Sequence, residues 1–144
     1  MKNSRHPGRA ALFGLLLIGS LSAAAPAHAP QLAALTQIEP GQWQLKEPGA
    51  STIAHSLCVM DPAVLLQLGH KGAQCSRFVI ADTPGTATVH YTCPGAGHGR
   101  TTISIETPRL LRIQTQGIAG GAPFDLDYEG RRMGACAGKA LAAH

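Results

Sequence analysis

From Ser76 onward the chain alternates apolar and polar residues with a period of two. Ala87, Val89, Tyr91 and Cys93 share one parity, with Thr88, His90 and Thr92 on the other. Thr101, Ile103 and Ile105 oppose Thr102, Ser104 and Glu106; Leu111 and Ile113 alternate with Arg112 and Gln114. Phe124, Leu126 and Tyr128 alternate with Asp125, Asp127 and Glu129, and Phe78 and Ile80 share a parity in an earlier strand. Upstream, Gln42–Lys46 puts Trp43 and Leu45 inward, and Thr52–Val59 reads as a further strand. Such alternation marks antiparallel strands with one buried and one wet face. Turn chemistry separates the strands: Pro48-Gly49, Thr83-Pro84-Gly85-Thr86 (a type II turn), the Gly-rich stretch 94–99, Thr107-Pro108, and 119–123. One segment breaks the period. Asp61 as N-cap, Pro62 in the first turn and Gly69 as a stop predict a short helix over 62–68. The expected fold is mostly β: an antiparallel meander forming a small barrel, half-barrel or sandwich, with that one helix.

The N-terminus follows a different pattern. Lys2, Arg5 and Arg9 precede an apolar run from Ala10 to Ala25, and small residues follow. This is the layout of a secretory signal. Proline after Ala25 and after Ala29 disfavours those bonds, so cleavage is expected after Ala27, with 28–40 an N-terminal arm, partly frayed, and 41–144 the folded domain. The run is too short for a retained span, no cysteine precedes Cys58 to carry a lipid, and a periplasmic or secreted location is expected. Losing Lys2, Arg5 and Arg9 takes the formal charge from +4 to +1. No basic stripe then remains for a nucleic acid, and Arg131-Arg132 reads as a solvated strand end. At 144 residues a multi-domain enzyme is excluded.

Cys58, Cys75, Cys93 and Cys136 all lie in the exported part, an even count that implies disulfides. Three connectivities exist. The expected one is Cys58–Cys75, closing a loop around the helix, with Cys93–Cys136 tying the sheet to the C-terminus. Without C-x-x-C or finger-like histidine spacing, zinc is not expected.

Keeping inward residues opposite one another pairs Val89 with Ile105, Tyr91 with Ile103, Leu111 with Ile105 and Ile113 with Leu126. That register places His90, Ser104, Arg112 and Asp127 in one outer row. Arg112 then separates Ser104 from Asp127, and no nucleophile elbow or oxyanion site accompanies the row, so it reads as ordinary sheet polarity. His28, His55, His70, His98 and His144 are dispersed. No catalytic residue, cofactor or metal is expected.

Gly41-Gln42-Trp43 opening the domain, Cys58-Val59-Met60-Asp61 after a strand, widely spaced Cys75 and Cys93, and Gly134-Ala135-Cys136 at the close together resemble the small exported bacterial proteins grouped as domain of unknown function 3617. The resemblance covers about residues 40–136. It implies a Gram-negative periplasmic or secreted location and brings no activity or catalytic residue. The favoured function is a non-enzymatic binding module for a small apolar ligand or an envelope protein, with no membrane span in the mature chain and the protein a monomer. The alternative is an inhibitor of a periplasmic or secreted hydrolase, such as a protease or lysozyme, presenting the loops 94–99 and 119–123 with Ala96, Gly97 and His98 as the candidate contact.

Overall fold

The computed structural model describes residues 31–137; the signal segment 1–27 and the cleavage site lie outside the described residues. The strands are β1 (Gly41–Lys46), β2 (His55–Val59), β3 (Ser76–Thr83), β4 (Thr86–Cys93), β5 (Gly97–Thr107), β6 (Leu110–Ala119) and β7 (Ala122–Gly134), with short 3₁₀ helices η1 (Leu35–Gln37) and η2 (Pro62–His70). They form a single antiparallel sheet in the order β2-β1-β7-β6-β5-β4-β3, open between its two edges and so not a closed barrel.

The meander holds from β3 to β7, but β1 returns to pair with β7 and carries β2 on its far side. The β2-to-β3 connection therefore runs from one sheet edge to the other. It crosses the inner face, and η2 is the part that covers β4, β5 and β6. The inner face is the predicted one. Trp43, Leu45, Val89, Ile103, Leu111, Ile113 and Tyr128 pack with Leu65, Leu66 and Leu68 of η2 into one core. Thr101 lies within it; its hydroxyl donates to the Leu66 carbonyl at 2.7 Å and sits 2.7 Å from the Thr115 hydroxyl, so the sheet's polar inward atoms are satisfied.

The crossover overturns the expected disulfides. Cys58 lies on β2 and Cys75 at the start of β3, at opposite edges, so they cannot meet. The bonds are Cys58–Cys136 and Cys75–Cys93. Ser76 pairs with Thr92, which makes Cys75 and Cys93 the next cross-strand neighbours at the open end of the β3–β4 hairpin. Gln42 pairs with both Cys58 and Gly134, so Cys136 needs only to reach back across β1. Two such bonds belong to an oxidising, extracytoplasmic environment.

Other expectations shift in detail. Residues 31–40 are no loose arm: Ala34, Leu35 and Ile38 are buried, and the Ala33 N–H donates to Asp82. β2 starts at His55 rather than Thr52. The helix keeps its Asp61 cap, whose Oδ1 accepts from the Ala63 N–H at 2.9 Å, but it is 3₁₀, kinked at Gln67, and runs through Gly69 to His70. Gly69 is no stop; it lies within the element, where the Phe124 ring occupies the place of its missing Cβ. Gly85 has no positive φ, so its turn is not type II. Phe78 lies on the outer side, 70% exposed, because β3 bulges between Val79 and Ala81 and breaks the parity. Arg132 is no free strand end; its Nε donates to the Pro40 carbonyl at 2.8 Å, and Glu39 lies between it and Arg109.

Candidate functional site

The outer row does not assemble. His90 stands opposite Arg100, Ser104 opposite Arg112, and Asp127 opposite Gln114, in separate rows. The hairpin turns cause this. Cys93 pairs with Gly97 across a tight turn, so Val89 meets Thr101 rather than Ile105, and Tyr91 meets Gly99 rather than Ile103. The shift is an even number of residues, which keeps every face and moves the row between β4 and β5, while β5 and β6 keep the expected register that sets Ser104 opposite Arg112. Likewise Gly120 and Gly121, both at positive φ, form a two-residue hairpin that sets Ile113 against Tyr128 rather than Leu126. Leu111 does face Ile105. Arg112 is paired with Glu129 at 3.2 Å. Asp127 and Arg100 instead line a polar groove of about 530 Å³ with Thr102, Gln114, Gln116 and Asp125.

The predicted contact loop is partly absorbed by the fold. The Ala96 carbonyl accepts from the Gly120 N–H and from His70 Nε2. Gly97 is half-buried with His70 and the Ile118 carbonyl against it, and of the three residues only His98 is exposed. His70, buried at the end of η2, is the clamp. Its Nε2 donates to the carbonyls of Ile118 (3.0 Å) and Ala96 (3.2 Å), which leaves Nδ1 to accept from the Tyr91 hydroxyl at 3.2 Å.

A second histidine cluster joins residues far apart in sequence. Lys71 Nζ donates to His55 Nδ1 at 3.4 Å, so Nε2 carries the hydrogen and donates to the Tyr128 hydroxyl oxygen at 3.2 Å. Burial first, and the Lys71 charge second, hold the His55 pKa below 6.5. Burial, then the Glu47 charge, raise that of Tyr128. Because the folded pKa of His55 is depressed, the unfolded chain binds the proton first as pH falls. The stability supplied by neutral His55 is complete above about 6.5 and is lost as pH drops through the folded value. Wild type should therefore lose more stability than His55→Gln between neutral and mildly acidic pH. Urea midpoints for both proteins check this, and parallel losses would remove His55 as the cause.

The inner face also carries an apolar cleft. η2 is only nine residues and packs chiefly on β5 and β6, reaching the inner side of β3 through the Arg77 side chain and leaving Val79 half exposed. Between η1, η2 and β3 lies a space of about 470 Å³, walled by Leu32, Leu35, Leu66, Val79 and Val89. Leu66 and Val89 are fully buried at its base, while Val79 is half exposed. Asp61 and Arg77 stand at the exposed side. Arg77 donates to Gln67 Oε1 at 3.0 Å and has no carboxylate partner among the described residues. Periodicity alone could not find this cleft, since it depends on how far a short crossover helix reaches across a wide sheet. Among the described residues, no helix is long and apolar enough to cross a membrane, and no group of three or more His, Cys, Asp or Glu is placed to hold a metal. No protein family, curated protein or solved structure matches the chain.

Proposed function

We propose that this protein is a non-enzymatic, exported binding module that takes a small apolar ligand into the cleft between η1, η2 and β3. The observation that carries the reading is the cleft itself: about 470 Å³, with largely apolar walls and, at its exposed side, one cation, Arg77, and one anion, Asp61. Ligand sites are typically concave, largely apolar and about 300–1,000 Å³, with few polar groups fixing orientation. The ligand class that fits is a single unbranched chain ending in an anion. The chain lies against Leu66 and Val89, and the head group uses the free N–H groups of Arg77. Dispersal of His90, Ser104 and Asp127 over separate rows supports the non-enzymatic part of the reading. The periplasmic or secreted location and membership of the domain of unknown function 3617 group belong to the same proposal. They rest on the N-terminal pattern and on the motif order.

The test is titration of the mature protein with fluorescent dansyl-labelled fatty acids of increasing chain length. Binding should be saturable at one site. Affinity should rise about fourfold per methylene, the equivalent of ~0.8 kcal/mol, until the cleft is full. Ala63→Phe, which adds a ring at the η2 side of the cleft, should abolish binding with an unchanged urea midpoint. Absent or non-saturable binding, or binding indifferent to Ala63→Phe, would overturn the reading.

A further inference from the structure

β3 ends the sheet and has β4 as its only strand neighbour among the described residues. Edge strands normally carry charge, proline or little length, because their free backbone groups invite pairing. β3 spans eight residues, all of them exposed, with Phe78, Val79 and Ile80 in succession. The other edge, β2, is five residues long and tethered by Cys58–Cys136.

We infer that β3 pairs antiparallel with β3 of a second copy, joining two sheets across a two-fold axis between Val79 and Ile80. The segment reads Ser76-Arg77-Phe78-Val79-Ile80-Ala81-Asp82-Thr83. With the axis at its centre, Arg77 of each chain stands opposite the partner's Asp82, Val79 opposite the partner's Ile80, and Phe78 opposite the partner's Ala81. Moving the axis by half a step in either direction sets Arg77 against alanine or threonine and loses both ion pairs. The charges therefore specify one register.

The bulge makes this register possible. Residues 77 and 82 differ by an odd number, so a regular strand would put them on opposite faces. The slip between Val79 and Ala81 corrects this. Arg77 pairs with Tyr91 and Asp82 with Ala87, both inward positions. Phe78 pairs with His90 and Ala81 with Thr88, both on the outer face. The strand is thus two-fold symmetric in face as well as in charge. Existing bonds leave capacity for the new ones. Among the described residues, the Asp82 side chain accepts only from the Ala33 N–H, and Arg77 reaches Gln67 and the Ala63 carbonyl with one of its terminal nitrogens. The inference departs from the expectation of a monomer; it draws on the same Arg77 as the ligand reading, so it is tested without ligand.

Sedimentation of the ligand-free mature protein at about 100 μM, where a micromolar interface is filled, tests the inference. Wild type should sediment as a dimer that weakens with salt. Ile80→Lys, an exposed position outside the core, should be a folded monomer by circular dichroism. Arg77→Asp alone and Asp82→Arg alone should each be monomeric, since each sets like charges opposite. An equimolar mixture of these two variants should restore the dimer, because both cross-pairs are then opposite in sign. A monomeric wild type, a dimer that survives Ile80→Lys, or a mixture that stays monomeric would each overturn the inference.

Discussion

Replacing Cys58 and Cys136 together by serine should lower the free energy of unfolding by about 4.5 kcal/mol, against about 3 kcal/mol for the Cys75/Cys93 pair. The difference follows from the chain between the bonded residues: 78 positions in the first case and 18 in the second. Cross-linking removes loop-closure freedom from the unfolded chain, and that loss grows with the logarithm of the loop. The folded structure points the same way. Cys58–Cys136 fastens the five-residue edge strand β2 to the end of β7 across β1, whereas Cys75–Cys93 only closes a hairpin already held by its own ladder. Urea unfolding of the two double variants gives the comparison, and peptide mapping without reduction confirms the pairing. Equal losses from the two variants would count against the chain-entropy account. A peptide joining Cys58 to Cys75 would count against the crossover topology itself.

The second large effect is expected at Trp43. Its side chain is fully buried, and its Nε1 donates to the Glu39 carbonyl at 3.0 Å. Trp43→Ala should cost about 3–5 kcal/mol, the range for removing a large aromatic from a core that relaxes only partly. Trp43→Phe keeps most of the packing and loses the indole hydrogen bond, so a loss of about 1 kcal/mol or somewhat more is expected. Unfolding midpoints of the two variants separate packing from hydrogen bonding; similar losses would mean that the Glu39 contact dominates.

Beside Trp43, three segments far apart in the sequence meet. Gly41 of the opening sits at φ +153, and a Cβ there would collide with the Gly134 carbonyl and the Arg132 side chain. Gly134 belongs to the closing Gly-x-Cys, and Cys136 is bonded to Cys58 of the Cys-Val-Met-Asp segment. The opening, middle and closing motifs are one structural corner where β1 lies between β2 and β7. Their chemistry is that of close backbone approach and cross-linking.

The faces of the strands were legible in the residues. Parity alone put Trp43, Tyr91, Ile103 and Tyr128 inside, because side chains alternate along any strand whatever its neighbours. Asp61-Pro62 marked the start of the one helical segment for an equally local reason: a cap is a bond between residues two or three apart. Register was not legible. It depended on how tightly Pro94–Ala96 and Gly120-Gly121 turn, and an even slip costs nothing in hydrophobic pattern while scattering His90, Ser104 and Asp127. The disulfides, the His55–Tyr128–Lys71 cluster and the apolar cleft all depended on one tertiary event, the passage of the chain from β2 over the inner face to β3. Nothing in the local pattern encodes that passage, since sequence neighbours are expected to be neighbours in the sheet. Here β1 found its place beside β7, and that choice decided which cysteines meet, which edge stays open and where the apolar cleft lies.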